Sequence, residues 1–289
     1  MNKPGAGLFF DIRRHSIHDG PGIRTAFFMK GCPLACRWCH NPESLDFKPE
    51  LQRRPERCIK CGSCGELSSD ADACPTGALE TIGRELTVAE ALKQALADEP
   101  FYDASGGGVT FTGGEPLAQG AFLLEAVREF KNYSIGICLD TSGYAPDGLV
   151  REIAPFLDLV LYDIKHMDDA THQRLTGVSN RRILSNARLF ATLGTPMQIS
   201  FPLIPGLTDD AENLEATAHF VSELAGLSKR DESRASVRIL PYHGSARPKY
   251  ERKGLKYLCS DQTVPSSGDC GRAASYFQNY GLTTSIGGL

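Results

Sequence analysis

From about residue 20 onward, short runs rich in β-branched and aromatic residues alternate with longer segments whose apolar residues recur every three or four positions. The short runs predict strands over 25–29, 108–112, 135–140, 157–164, 197–204 and 236–242. The longer segments predict helices. Thr87 and Glu90 form a capping-box pattern opening a helix whose apolar face is Val88, Ala91, Leu92, Ala95 and Leu96. Residues 121–131 repeat the period with Phe122, Ala126, Val127 and Phe130, and 181–193 with Ile183, Leu184, Ala187, Phe190 and Ala191. Residues 209–224 do so with Leu214, Ala218, Val221 and Leu224.

Six strand-then-helix units imply an α/β fold with a parallel sheet and right-handed crossovers. An open doubly wound sheet and a full or partial barrel both fit that pattern. In either, a site forms where the strands' carboxyl ends feed their loops. Chemically distinctive residues fall at those ends: Gly113-Gly114-Glu115, Asp140-Thr141-Ser142, Asp163-Ile164-Lys165 and His243. Residues 52–82 break the alternation, being polar and cysteine-rich with a Cys-Pro near the end. They read as an insertion in a domain made of 1–51 and 83–289.

Composition narrows the class. Of 289 residues, 41 % are apolar and 23 % charged, ordinary for a water-exposed globular chain. No apolar run approaches the roughly 18 residues of a membrane span, and the first residues lack a secretory apolar core. A net charge of −4 gives no basic surplus for nucleic acid. Ten cysteines are many for a chain that needs no disulfides. Most lie between Cys32 and Cys74 at short spacings, which predicts metal binding in a reducing cytoplasm.

Cys32, Cys36 and Cys39 follow directly on a strand and Gly31. A structural zinc site wants four protein ligands, and no fourth cysteine or well-spaced histidine pair follows closely. A 4Fe–4S cluster held by three thiolates rather than the usual four leaves one iron open to chelate a small molecule, such as the amino and carboxylate groups of a methionine moiety.

These residues resemble the radical S-adenosylmethionine (SAM) superfamily, through Cys32-Pro-Leu-Ala-Cys36-Arg-Trp-Cys39 and TGGEP at 112–116. Within it the chain resembles the glycyl-radical-enzyme activating enzymes. That narrower likeness rests on HDGPGIRT at 18–25, WCHNPES at 38–44, GGGVTFTGGEPLAQ at 106–119 and LDTSG at 139–143. LYDIKH at 161–166, TGVSNRRIL at 176–184, LIPGLTDD at 203–210 and LPYH at 240–243 continue it in the family's order.

The resemblance implies a partial (β/α)6 TIM-type barrel with a small ferredoxin-like insertion. It implies a cluster on Cys32, Cys36 and Cys39 that cleaves SAM to a 5′-deoxyadenosyl radical, which takes a hydrogen from a glycine on a C-terminal loop of a partner glycyl radical enzyme. The implied SAM neighbours are Trp38, His40, Gly113, Gly114, Glu115, Asp140, Ile164, Lys165, His166 and His243. Glu115 suits the methionine ammonium as a carboxylate, and Lys165 and His243 match positions near the SAM carboxylate and ribose. Asp140, Thr141, Leu161 (through its carbonyl) and Asp163 match a monovalent-cation site, although two strand-end aspartates also suit helix N-caps. Asp19 matches the entrance for the partner's glycine loop or, equally, an ordinary Asp-Gly turn. One position departs: Ser200 stands where family members often carry an arginine, so that anchor is missing or supplied from elsewhere. A low-potential donor such as flavodoxin or ferredoxin is implied, and neither nucleic acid nor membrane.

Cys58, Cys61, Cys64 and Cys74 supply a second set of four thiols. The first three spacings and the Cys-Pro ending match the bacterial ferredoxin run, with a longer gap before the last cysteine. One auxiliary 4Fe–4S cluster is expected, and an all-cysteine zinc site is the alternative. The insertion points to a partner other than pyruvate formate-lyase itself, such as a decarboxylase, a dehydratase, or a C–N or C–S lyase. Cys138, Cys259 and Cys270 read as buried small hydrophobes. Two competing readings remain: a radical SAM enzyme of a small metabolite, and an iron–sulfur electron carrier.

Overall fold

A computed structural model describes residues 5–62, 71–227 and 236–287. Six strands match the predicted runs closely: β2 (Arg24–Met29), β6 (Gly108–Gly113), β7 (Ile137–Thr141), β8 (Leu159–Asp163), β9 (Met197–Leu203) and β10 (Ser236–Pro241). They lie side by side, all parallel, in that order. Three further strands extend the sheet. β11 (Thr284–Ile286) adds parallel to β10; β1 (Ala6–Ser16) pairs antiparallel with β2, and β5 (Arg84–Thr87) with β1. Among the described residues the edge strands β5 and β11 do not pair with each other, so the partial barrel stays open.

Strand periodicity builds both sides of this wall. One set of alternate residues, including Phe27, Val109, Phe111, Leu139, Val160, Tyr162, Ile199, Phe201, Val237 and Ile239, enters the main apolar core. The intervening set, including Thr112, Asp140, Leu161, Asp163, Ser200, Pro202, Arg238 and Leu240, lines a central cavity. The outer face is thus mostly apolar, and the inner face turns polar where it lines the cavity.

The core's outer side is closed by helices α1 (Val88–Leu96), α2 (Glu99–Ser105), α3 (Gly120–Asn132), α4 (Asp147–Ile153), α6 (Arg181–Thr192), α7 (Ala211–Leu227) and α9 (Ser267–Asn279), whereas α5 (Asp169–Thr176) and α8 (Arg247–Arg252) bury Leu175 and Tyr250 in a smaller apolar cluster with Trp38. α1, α3, α4, α6, α7 and α9 pack neighbour against neighbour around the sheet. The capping box opening α1 is present, Thr87 Oγ1 accepting from the Glu90 amide at 3.2 Å. α7 starts two residues later than its apolar period suggests, because Asp210 accepts from the Asn213 amide at 2.8 Å and so stands ahead of the helix. The cysteine-rich segment leaves the main sheet and is bracketed by its own antiparallel pair, β3 (Glu50–Arg53) with β4 (Leu79–Ile82).

Candidate functional site

The loop carrying Cys32, Cys36 and Cys39 leaves the carboxyl end of β2 and is pinned by backbone hydrogen bonds on both sides. Ala35 N donates to Thr176 O at 2.7 Å and Arg37 N to Leu175 O at 3.0 Å, both at the end of α5. Gly31 N donates to Ser44 O at 2.6 Å, and Glu115 N to Gly31 O at 2.9 Å. The cysteine loop is thus fastened to the Gly113–Glu115 turn. Gly113 has φ +110°, and a Cβ there would lie 2.6 Å from the Met29 amide, so only glycine lets the two loops meet.

All three thiols line one cavity of about 380 Å³ at the strands' carboxyl ends. The same cavity is lined by Trp38, His40, Gly113, Gly114, Asp140, Thr141, Leu161, Asp163, Lys165 and His243, the greater part of the sequence-predicted site. Burial pushes all three thiols up, Cys36 to about 12, so they are protonated at neutral pH until a metal displaces their protons. Among the described residues no group of three His, Cys, Asp or Glu side chains is placed to hold a metal ion. Three thiols facing one cavity are the donor set of a cluster that leaves one iron open, whereas a closed structural zinc site wants four protein ligands.

The charged groups are arranged in depth. Lys165 Nζ donates to Asp163 Oδ2 at 2.7 Å. Burial alone lowers the lysine's proton affinity, but the charge and hydrogen bond of Asp163 raise it, and the net shift is upward. Asp140 accepts from Thr112 Oγ1 at 2.6 Å and is pushed up to about 7, first by burial and then by the Asp163 charge. Neither aspartate caps a helix; both face the cavity. His40 and His243 lie with ring centroids 4.2 Å apart. Burial, then the charge of its neighbour, lowers His40 to about 4, and burial lowers His243, so both rings are neutral at pH 7.

Three expected SAM neighbours are placed elsewhere. The Glu115 carboxylate is buried beneath the turn, accepting from Thr141 Oγ1 at 2.5 Å, Ser142 Oγ at 2.5 Å, Ser142 N at 2.9 Å and Leu117 N at 3.0 Å. It organises the end of β7 and does not line the cavity. Ile164 and His166 alternate with Asp163 and Lys165, and strand-like alternation turns them away. Ile164 joins the apolar core. His166 accepts from the Asp168 amide at 3.1 Å and faces Asp210.

Sequence reasoning missed Arg238, Thr112 and Pro202. Arg238 and Pro202 each sit two residues from another cavity-lining position on the same strand, Leu240 and Ser200, so the period-2 pattern was the available signal there; Thr112 opens the TGGEP motif. Arg238 also stands directly across from Ser200 in the β9–β10 register. The HDGPG loop closes the lower end: Thr110 Oγ1 donates to Asp19 O at 2.6 Å, and the buried Arg24 guanidinium donates to Pro21 O at 3.1 Å. Asp19 lines the cavity.

In the insertion, Cys58, Cys61 and Cys74 line a separate cavity of about 270 Å³. Hydrogen bonding from Thr76 lowers the Cys74 thiol to about 7. Cys64 lies outside the described residues. Cys138, Cys259 and Cys270 are buried, as expected of small apolar side chains. No helix among the described residues is long and apolar enough to cross a membrane.

Residues 27–221 match the radical SAM superfamily. The chain is 40 % identical to the isethionate sulfite-lyase activating enzyme of Nitratidesulfovibrio vulgaris, over 86 % of this chain and 88 % of that one. It is 35 % identical to the pyruvate formate-lyase 2-activating enzyme of Escherichia coli, over 96 % and 92 % respectively. A solved domain of the pyruvate-formate lyase-activating enzyme of Bacteroides vulgatus superposes with a TM-score of 0.52 at 31 % identity, covering 63 % of this chain and all of that one. With three half-buried thiols, a glycine turn and a charged lysine converging at the open end of a parallel partial barrel, the chain belongs to the radical SAM superfamily and, within it, to the activating enzymes of glycyl radical enzymes.

Proposed function

We propose that this protein activates a glycyl radical enzyme other than pyruvate formate-lyase, and that Cys32, Cys36 and Cys39 hold the 4Fe–4S cluster that engages SAM. The observation that carries the reading is the single cavity shared by the three thiols, the Gly113–Gly114 backbone, the Lys165–Asp163 pair and the Asp19 loop. With cluster and SAM bound, the site supplies one-electron cleavage of SAM and the 5′-deoxyadenosyl radical that takes a glycine hydrogen. The protein's own groups orient the reactants. Lys165, kept cationic by Asp163, offers N–H donors to the SAM carboxylate. The cavity-lining backbone of Gly113 and Gly114 offers carbonyl acceptors to the methionine amino group, in place of the Glu115 side chain. His243 and His40, neutral rings, serve the ribose hydroxyls and the base. Asp140, Asp163, Thr141 and the Leu161 carbonyl supply oxygen ligands for a monovalent cation, whose charge would relieve two neighbouring carboxylates.

The insertion supports one auxiliary 4Fe–4S cluster on Cys58, Cys61, Cys64 and Cys74, fed by a flavodoxin or ferredoxin in the cytoplasm. The choice of partner is supported by the higher identity to the isethionate sulfite-lyase activating enzyme, 40 %, than to the pyruvate formate-lyase 2-activating enzyme, 35 %. Reconstituted under anaerobic conditions, the protein is expected to bind about eight irons per chain, two four-iron clusters. About four irons with one zinc would replace the auxiliary cluster by a structural site. Incubation of the reduced, SAM-loaded protein with a glycyl radical dehydratase, decarboxylase or C–S lyase should give the glycyl EPR doublet on one of them. A doublet on pyruvate formate-lyase alone overturns the partner assignment, and no doublet on any of them overturns the activase reading.

A further inference from the structure

A glycine offers an activator no side chain to hold; its loop is gripped through peptide carbonyls and N–H groups. The cavity therefore needs donors not already committed to charged partners. Two permanent cations line it, and Lys165 is paired with Asp163. Among the described residues Arg238 makes no ion pair; its Nη1 donates to a backbone carbonyl, that of His18, at 2.8 Å. Three chain segments converge on this guanidinium. β10 carries it, facing inward on the row of Ser200 and Asp163. The loop before β2 meets it through His18, next to the cavity-lining Asp19. The segment after β11 crosses it at Gly287, where a Cβ would stand 2.2 Å from Arg238 Nε. Gly287 N is held by Ile239 O at 2.9 Å, so this close approach is built into the strand pairing. The small Ser200 side chain alongside leaves the guanidinium reach into the cavity.

We propose that Arg238 is a positioning residue that donates to a peptide carbonyl of the partner's glycine-bearing loop, taking there the kind of bond it makes to His18. The inference rests on the activase reading above. A guanidinium on a rigid strand keeps several N–H donors in one plane, so one can stay on His18 while others meet the incoming backbone. Asp19, next to His18 on the loop before β2, offers the matching acceptor for a peptide N–H. Together they would hold an extended segment of the partner's chain, with its glycine Cα directed toward the thiol-lined end.

The test uses the cluster-loaded protein, SAM, dithionite and a short alanine peptide with one central glycine, acetylated at its amino end and amidated at its carboxyl end. The glycine Cα carries two deuteriums. Deuterium appearing in 5′-deoxyadenosine reports hydrogen transfer from that carbon. Arg238→Gln is expected to raise the peptide KM about tenfold while kcat at saturating peptide changes less than about twofold, the loss of one charge-assisted hydrogen bond. Arg238→Lys, which keeps a donor but not the planar fork, is expected to raise KM only about threefold. An unmoved KM in the glutamine variant overturns the proposal, as does a fall in kcat with KM unmoved, which would place Arg238 on SAM. Wild-type protein that transfers no deuterium overturns the activase reading itself, an outcome distinct from any difference between variants.

Discussion

Cys36→Ala is expected to reduce reductive SAM cleavage more than about 100-fold, with the fold intact. Removing a residue that merely supports a metal ligand typically costs about 10–100-fold, and loss of the ligand itself exceeds that. Cys36 packs partly against the aromatic cluster of Trp38, Tyr242, Tyr250 and Tyr257, where a methyl group retains much of the contact. Cys259 gives a matched control. It belongs to the same cluster and is equally a thiol, but it lies outside the cavity. Cys259→Ala should keep both its iron and its cleavage rate, and Cys36→Ala should lose the iron of one cluster along with 5′-deoxyadenosine formation. Equal loss in the two variants would mean that packing, not ligation, sets the effect. Cleavage retained in Cys36→Ala would refute the site.

Much of this architecture is legible in the sequence because parallel strands buried on both faces have little freedom. β2, β6, β7, β8, β9 and β10 are each recognisable from a short β-branched or aromatic run followed by a turn. β1 is not, since it pairs antiparallel with both β2 and β5 and no helix follows it to complete a repeating unit. β11 is three residues long, too short for any period to show. The site divides along similar lines. Cys32, Cys36 and Cys39 announce themselves by spacing, and Asp140, Asp163 and Lys165 by standing at strand ends. Glu115 is misplaced by sequence reasoning because the turn after β6 decides whether its carboxylate faces the cavity or the sheet, and Thr141 and Ser142, distant in sequence, claim it. Ile164 and His166 show the limit of segment-level likeness: in a strand-like stretch, only alternate residues of a matching motif face the cavity.

The largest expected effect on stability lies at Glu50, the first residue of β3 and the point where the insertion joins the barrel. Its carboxylate sits between two lysines. Lys30, whose side chain is 0 % exposed, donates to Glu50 Oε2 at 2.5 Å and to Glu43 O at 2.7 Å. Lys253, just after α8, donates to both Glu50 oxygens at 2.8 Å. Lys30 immediately precedes Gly31 and Cys32, so this bridge links the insertion, the cysteine loop and α8. Removing one partner of a buried pair costs about 3–5 kcal/mol, because the other charge is left desolvated. Glu50 retains 27 % exposure, which admits water and places Glu50→Ala near the lower end, about 3 kcal/mol. For a chain of this length that corresponds to roughly 6 °C in Tm. Replacing the inner pair together, Lys30→Met with Glu50→Leu, should recover most of the loss, since a well-packed apolar pair can equal a buried ionic one; Lys253, 14 % exposed, can turn toward water. Thermal melts of the two variants decide between a specific bridge and general crowding. If the double variant melts lower than Glu50→Ala, the lysine is held by contacts other than this charge pair, and the account of how the insertion is fastened to the cysteine loop fails.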